Sequence, residues 1–377
     1  MPVADCAIVG RGVSPEYDVT ESISDCALCP KCRARLNAAF DCAACGVRYP
    51  LLGSVRVLLS EPSSCVERWR MQLALVLSHA SEAIRALAAD AAGSDVGEST
   101  RTRLRALAGG IAEHASDIAA VLEPVLGGPL PPRDELRLPR GTMDYVNCLF
   151  RDWAWAGGQD PENHESLAAI RRVTEGRGLG RTLVLGAGGC RLAYDLHLGC
   201  GGTETTAVDI DPFLLLMAEA VIRGGTVDLT EVSVNAPEVD PVSYRWRLSA
   251  PSGPLGTDVF RLFLANGVEP PFADQTFDTV VTPWFIDQVP TDLAALLRRL
   301  HALLVPGGRW INQGPLIYPP DALPIARWYT RQEIFELAKA IGFRITTWEA
   351  ASVPHFVTPF TGRGLIENVL TFEAVRE

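Results

Sequence analysis

An α/β fold built on a doubly wound sheet, preceded by a helical segment and a small cysteine-rich module, is the class the sequence predicts. Three observations predict it. Residues 181–212 (RTLVLGAGGCRLAYDLHLGCGGTETTAVDIDP) run from a short apolar strand through a glycine turn into a helix, then into a second strand ending on Asp209. That order is the nucleotide-binding half of a doubly wound fold: glycines let the backbone approach a ligand, and the acid can accept both ribose hydroxyls. Downstream, strand-like and helix-like stretches keep alternating. Upstream, Cys29-Pro30-Lys31-Cys32 and Cys42-Ala43-Ala44-Cys45 form two CxxC pairs nine residues apart.

Each CxxC pair can grip a metal from one tight turn, and four thiolates close a tetrahedral site with no open position. Cys29, Cys32, Cys42 and Cys45 are therefore expected to hold a structural zinc. Cys26 is also spaced CxxC with Cys29 and stands as a spare or alternative ligand. Residues 61–64 (EPSS) read as a linker. Trp69, Leu73, Val76, Ala80, Ile84 and Leu87 recur at helical spacing and predict a helix over 66–89. A polar break at 93–100 separates it from a second helix over about 101–126, which Gly127-Gly128-Pro129 and Pro131-Pro132 end. The pair reads as a hairpin packed on a neighbour.

Residues 143–155 (MDYVNCLFRDWAW) form an amphipathic helix carrying Arg151, which could clamp a carboxylate or be an ordinary surface arginine. A helix over 213–223 follows Asp209, and the long irregular stretch 231–260 is expected to insert a flap or hairpin before a strand at 262–264. Thr279-Val280-Val281 is the next strand. Leu293, Leu296, Leu297, Leu300 and Leu304 share one face of a helix over 291–304. Another helix, 329–341, ends at Gly342. Residues 343–348 and 369–375 read as closing antiparallel strands. The domains expected are 1–62 for the ribbon, 63–142 for the helical hairpin and linker, and 143–377 for the doubly wound unit.

A chain of 377 residues exceeds the usual single-domain size, so two or three domains are expected. With 47% hydrophobic and 21% charged residues it can bury a sizeable core. The formal net charge of −11 argues against a broad phosphate-binding surface, and so against nucleic acid as the partner. No apolar run approaches membrane-spanning length and residues 1–13 lack a basic-then-apolar signal pattern. A cytoplasmic protein with no membrane partner is expected. Ten cysteines in that compartment point to metal ligands or buried thiols rather than disulfides.

Residues 266–278 (NGVEPPFADQTFD) ahead of the strand at 279, and 303–312 (LLVPGGRWIN) after a helix, resemble class I S-adenosylmethionine methyltransferases, which have a Rossmann-like doubly wound sheet. The resemblance implies S-adenosylmethionine as cofactor, with Asn266 by the adenine and Pro306-Gly307-Gly308 turning into a late strand. Residues 29–59 resemble the small zinc-ribbon proteins that activate methyltransferases and the ribbons fused to some rRNA methyltransferases. That implies a structural or docking role, through which a homodimer or a partner protein could form. Residues 186–193 (GAGGCRLA), Arg151-Asp152-Trp153, Phe285-Ile286-Asp287 and 304–316 (LVPGGRWINQGPL) with Tyr318 look like the carnosine N-methyltransferase family, over roughly 143–372. That family methylates an imidazole nitrogen of a histidine-containing peptide, and related members modify protein histidines. The resemblance implies that Asp287 binds the imidazole and that Arg151 contacts the cofactor. The chain departs from the family at Cys190 (a glycine there), Cys148 (a glutamine) and Asn266 (an aspartate). The family's tyrosines before the last strand are replaced by Gly364-Leu365-Ile366, and the ribbon is an addition.

The cofactor-binding set expected is Arg151, Gly186, Ala187, Gly188, Arg191, Asp209, Ile210, Asn266 and Gly267. Ligands of open α/β sheets lie beyond the carboxyl ends of the strands, which makes Trp284, Phe285 and Asp287 the acceptor-side group. Asn312, Tyr318 and His355 are further pocket candidates. An imidazole with a reference pKa near 6.5 is mostly neutral in the cell, so the enzyme must fix tautomer and direction rather than supply a strong base. Asp287 is the candidate catalytic orienter, with a helix cap or salt-bridge partner as its alternative role. The function expected is N-methylation of an imidazole nitrogen in a histidine-containing small molecule or peptide. Two other readings stand beside it: an RNA methyltransferase guided by its ribbon, and a cofactor-binding scaffold that docks a partner through the ribbon. The acidic balance and the lack of an Asn/Asp-Pro-Pro-aromatic motif weigh against RNA; the intact glycine turn and Asp287 weigh against the scaffold.

Overall fold

The computed structural model describes residues 23, 25–126, 146–157, 159–235, 238, 241–319 and 323–377. The glycine–proline stop at 127–132, the start of the 143–155 helix and residues 1–13 lie outside these. The described residues contain a nine-stranded sheet and a separate two-stranded hairpin. The strands are β1 (Leu51–Leu52), β2 (Val55–Leu58), β3 (Gly180–Leu185), β4 (Gly202–Asp209), β5 (Val227–Val232), β6 (Ser243–Leu248), β7 (Phe260–Ala265), β8 (Phe277–Pro283), β9 (Leu304–Gly314), β10 (Phe343–His355) and β11 (Leu365–Arg376). The large sheet runs β1-β2-β7-β4-β3-β8-β9-β11-β10. Strands β2, β7, β4, β3, β8 and β9 are parallel, while β11 pairs antiparallel with both β9 and β10. The closing antiparallel strands are thus present, each several residues longer than the sequence pattern suggests.

Eight helices are described: α1 (Pro62–Ala91), α2 (Glu98–Leu126), α3 (Val146–Trp153), α4 (Pro161–Val173), α5 (Arg191–Gly199), α6 (Pro212–Ile222), α7 (Leu293–Leu303) and α8 (Arg331–Ile341). Leu183, Val184 and Leu185 of β3 are all fully buried, as expected of a parallel strand covered on both faces. Asp211 and Asp292 cap α6 and α7 through first-turn N–H groups, and Thr330 with Glu333 closes a capping box on α8. The stretch 61–64 proves to be no linker. Pro62 opens α1, where its missing N–H leaves no hydrogen bond unmade.

The irregular stretch 231–260 holds the second strand of the β5–β6 hairpin, and this hairpin is clamped rather than loose. Gly110 of α2 abuts Ser243 so closely that an added Cβ would stand 2.7 Å from the Ser243 Cβ. His114 Nδ1 lies 2.6 Å from the Thr230 carbonyl, and Thr230 Oγ1 donates to Asp117 at 2.7 Å. The α1–α2 pair is therefore the expected helical hairpin, and the neighbour it packs on is β5–β6.

The ribbon joins the sheet directly. Arg56, Val57 and Leu58 pair with Phe263, Leu264 and Ala265 of β7, and Leu28 N–H donates to the Pro271 carbonyl at 2.8 Å. Ile23, Phe40, Tyr49 and Leu58 share one buried cluster with Val208, Phe263 and Phe272. No described helix is long and apolar enough to cross a membrane.

Candidate active site

The strand order reverses at β3: β4 and β7 lie on one side, β8 and β9 on the other. Ligands of such sheets bind at that switch point, beyond the carboxyl ends of the strands. Gly186, Asp209, Asn266, Trp284 and Pro315 follow or end those strands and so mark one rim of the sheet. Gly186 has φ +71°, and a Cβ there would stand 2.6 Å from the Phe285 ring. Only glycine meets both conditions without strain. Asp209 is bound into the turn: Oδ2 accepts from Gly188 N–H at 2.6 Å and Oδ1 from Asp211 N–H at 2.8 Å. Burial raises its carboxyl pKa despite these N–H donors. Next to it the Ile210 side chain is 61% exposed. Asn266 is exposed, and its Oδ1 accepts from Val268 N–H at 3.0 Å.

Aliphatic Ile210 left in water beside a carboxylate, an exposed amide and a turn of positive-φ glycines suits a nucleoside, which offers a flat apolar face and hydroxyl donors. These residues fit the adenosine part of S-adenosylmethionine. Cys190, at the glycine position of the resembled family, has φ +64° and precedes α5, so the left-handed geometry is kept without the glycine. Burial pushes the Cys148 thiol up to about 12, close to both Arg151 and Asp209.

Helix α3 leans on the glycine turn. Trp153 Nε1 donates to the Gly189 carbonyl at 2.7 Å, and the Asp152 carboxylate fills the space a Gly189 side chain would need. Arg151 is neither a free clamp nor a surface arginine. Its Nε donates to Asp152 at 2.7 Å and its Nη1 to Glu162 at 2.8 Å. Glu162 also receives His355 Nδ1 and Phe356 N–H, both at 2.9 Å. Burial alone would raise its carboxyl pKa, but Arg151 and His355 hold it below the usual range. His355 stacks on Trp284 with ring centroids 4.1 Å apart and planes 13° from parallel. Trp284 itself has φ +48°, a backbone state uncommon outside glycine and enriched at functional sites. Arg191 is turned inward. Its guanidinium is buried on Asp195 at 2.8 Å and the Asp152 carbonyl at 2.6 Å, so it braces α5 against α3.

Asp287 is 1% exposed. Its Oδ2 accepts from Ile317 N–H at 2.9 Å and from Gln288 Nε2 at 3.0 Å, whereas Oδ1 is buried with no hydrogen-bond partner among the described residues. Burial raises its carboxyl pKa, and the charge of Glu367 adds to the shift. Tyr318 lies near enough to feel Asp287, but its hydroxyl donates to the Tyr329 carbonyl at 3.1 Å, and burial pushes it up to about 12. Asn312 is buried: its Oδ1 accepts from Thr282 Oγ1 at 3.0 Å and its Nδ2 donates to the Leu370 carbonyl at 3.4 Å. Its neighbour Gln313 donates to Ser166 of α4 at 3.1 Å and leaves Oε1 buried without a partner among the described residues. Phe285 packs between Gly186 and Gly267, so it floors the cofactor rim rather than facing an acceptor. Sequence reasoning missed Glu162 and Gln313. Glu162 reads as a first-turn helix acid, and strand alternation separates Asn312 from Gln313 only once the site face is known.

At the far edge the Sγ atoms of Cys29, Cys32, Cys42 and Cys45 all lie within 4.8 Å of one another, with Cys29–Cys45 and Cys32–Cys42 at 3.5 Å. A tetrahedral site with Zn–S near 2.3 Å has sulfur–sulfur edges of about 3.8 Å, so the four thiols fit zinc. Cys26 is outside the cluster, and its carbonyl accepts from Ala273 N–H at 2.7 Å.

Residues 233–356 match the family model described as carnosine N-methyltransferase. Among solved structures the chain is similar to an S-adenosylmethionine-dependent methyltransferase from Aquifex aeolicus at 15% identity, covering 58% of this chain and 94% of that one, with TM-score 0.36. It is also similar to the 1,6-didemethyltoxoflavin-N1-methyltransferase of Burkholderia thailandensis, at 21% identity, 66% and 94% coverage and TM-score 0.34. A methyltransferase of Haloferax volcanii in complex with its methyltransferase activator is similar at 16% identity, 62% and 94% coverage and TM-score 0.39. No curated protein sequence matches the chain.

Proposed function

We propose that the chain is a cytoplasmic S-adenosylmethionine-dependent N-methyltransferase acting on an imidazole nitrogen of histidine in a small molecule or peptide. The unpartnered Oδ1 of Asp287 carries this reading. A buried acceptor without a donor costs about 1–3 kcal/mol, more when charged, so the site favours a ligand that brings an N–H. An imidazole brings one and keeps a lone pair on its other ring nitrogen, directed away from the carboxylate.

When bound, the cofactor supplies an electrophilic methyl group on a sulfonium. The chain's residues supply position and charge. Asp209, Ile210, Asn266 and the Gly186–Gly188 turn would hold the nucleoside, and the Arg151 network lies behind the turn. Asp287 fixes the acceptor's tautomer through its N–H, and such orientation accounts for much of the rate in a displacement between two bound groups. The ring would gain the positive charge that the sulfonium loses, because its new nitrogen–carbon bond replaces the sulfur–carbon bond and a neutral thioether leaves. Asp287 balances that charge and can take the ring proton afterwards, for which a raised pKa suits it. The four thiolates form a closed set, which suits a structural zinc with no part in the transfer.

The test is incubation with methyl-labelled S-adenosylmethionine and a panel of histidine compounds, read by mass spectrometry with fragmentation of the ring. One added methyl on an imidazole nitrogen is the expected product. Label found in RNA and in no imidazole compound would overturn the reading.

A further inference from the structure

Trp284 is the first residue beyond β8, and it is held in an uncommon state. Its φ is +48°, and its N–H donates to the Gln313 carbonyl at 2.7 Å. Its backbone lies so close to Gly314 that a Cβ added there would stand 3.0 Å from Trp284 N and Cα. Such backbone states outside glycine persist only where the surroundings enforce them, and they concentrate at functional sites. One face of the indole carries the parallel His355 ring at 4.1 Å, and behind that ring the Glu162 carboxylate holds Nδ1 at 2.9 Å. Trp284 is nevertheless only half-buried. The Trp153 and Trp348 rings each have an arginine guanidinium over them, whereas no described arginine lies over Trp284. Tryptophan is the side chain best suited to hold a cation on its face, and here a carboxylate behind the stack adds to the attraction.

The direction of a bound cofactor follows from the sheet. Asp209 ends β4, and Asn266 follows β7, which flanks β4 on the side away from β3. A ribose with both hydroxyls on Asp209 and its base by Asn266 sends its 5′ arm the opposite way, over β3 toward β8. Neighbouring strands lie about 4.8 Å apart, so the end of β8 stands about 10 Å from that of β4 across the sheet. The ribose and its 5′ carbon cover most of that distance, and the sulfur comes next.

We propose that Trp284 takes the sulfonium of S-adenosylmethionine on the indole face opposite His355, so that the site prefers the charged methyl donor to the neutral S-adenosylhomocysteine that transfer leaves behind. His355 and Glu162 are positioning residues for the indole. The two ligands differ by one methyl and one charge, so contacts to the adenine, the ribose and the amino-acid end hold both alike. A contact made to the charge separates them, and its loss on transfer favours product release. The proposal rests on the cofactor assignment and not on the acceptor.

The test is calorimetry on the full chain with S-adenosylmethionine, S-adenosylhomocysteine and sinefungin, in which an amine-bearing carbon replaces the methylated sulfur. The wild type should bind the two cationic ligands more tightly than the neutral thioether. Trp284→Leu should weaken both cationic ligands by between about twofold and thirtyfold, the span of a cation–ring contact from exposed to desolvated sites, and leave the thioether unchanged. Trp284→Phe should restore part of the difference, because a phenyl face holds a cation less strongly than an indole. His355→Leu should shrink the difference with Trp284 still in place. Equal weakening of all three ligands in the leucine variant would make Trp284 a packing residue and overturn the assignment. Equal affinity for donor and thioether in the wild type would overturn it too. If Trp284→Leu does not fold, Trp284→Phe decides alone: a reduced preference supports the assignment and an undiminished one overturns it. Binding of no adenosyl ligand by the wild type would remove the cofactor assignment itself. No acceptor enters the measurement, so failure of the imidazole reading would leave its outcome unchanged.

Discussion

At one edge of the sheet, β2 lies along β7 and the four cysteine sulfurs converge behind it. At the other edge, β10 and β11 carry Trp348, Leu365 and Ile366 largely in water. Sheet edges are a liability that a fold must cover, and the ribbon covers one of them with its own strand. Unsatisfied groups are tolerated where a ligand completes them. The difference teaches that the ribbon edge is closed by its own strand and shared core, while the β10–β11 edge stays open to solvent. Substitutions at the two edges should therefore fail in different ways.

Metal removal should have the largest effect. The purified protein should contain one zinc per chain, and a structural four-cysteine site contributes of order 10–16 kcal/mol of apparent binding energy to folding. Ile23, Phe40 and Leu58 share a core with Phe263 and Phe272, so stripping the metal should lower a single melting transition rather than melt the ribbon alone. Trp348→Ala at the far edge should shift stability by no more than about 1 kcal/mol. Well under one zinc per chain, or an unchanged melt in chelator, would break the comparison.

Asp287→Asn should invert that pattern. Methyl transfer should fall about 10²- to 10⁴-fold, the usual range for a lost acid–base or orienting group. Cofactor affinity should hold. The sign for stability follows from burial, which raises the folded-state carboxyl pKa above its unfolded value. The charged form is then penalised in the fold, and stability falls as pH rises through that pKa. Removing the charge should leave the neutral-pH melting temperature unchanged or higher. A variant that melts far below the wild type would make Asp287 a structural residue.

How much of this was legible in the sequence follows from how local each feature is. Gly186 and Asp209 belong to one contiguous strand–turn–helix–strand stretch, and the four cysteines to two tight turns, so spacing alone identified them. The pairing of Leu58 with Ala265 joins segments some two hundred residues apart, and no local pattern announces it. Glu162 gathers Arg151 from α3 with His355 and Phe356 from the end of β10, a convergence that exists only in three dimensions. Arg191, a basic residue at a helix start beside a glycine turn, reads as ligand-facing, and only the fold shows its guanidinium turning back onto Asp195 and α3.

Asp209→Ala sharpens the view of the rim between the two edges. Each charged hydrogen bond to a ribose hydroxyl is worth about 1.5–3 kcal/mol, so cofactor affinity should drop at least tenfold. The same carboxylate holds Gly188 N–H at 2.6 Å, so the loss should also loosen the turn. Calorimetry giving wild-type affinity would remove Asp209 from the cofactor site, and a preference for NAD would change the enzyme class.

A modest effect on stability is expected at Glu162, which ties Arg151 of α3 to the end of β10. Its carboxyl pKa is depressed in the fold by Arg151 and His355 against the pull of burial. A depressed carboxyl contributes stability that is fully present above the unfolded value, near 4.3 for glutamate, and is lost as pH falls through the folded value. Glu162→Gln keeps the shape and can still accept from Phe356 N–H, but it gives up the charge on Arg151. Because Arg151 retains Asp152 at 2.7 Å, the loss at neutral pH should be modest, about 1–2 kcal/mol. Melting temperatures of wild type and variant, followed from pH 7 downward, should converge below about pH 4 as the wild-type carboxyl takes up its proton. A gap that stays constant to low pH would mean the glutamine disturbs packing rather than charge. No gap at neutral pH would mean that the Asp152 pair alone holds Arg151, and that the link from α3 to β10 adds nothing to stability.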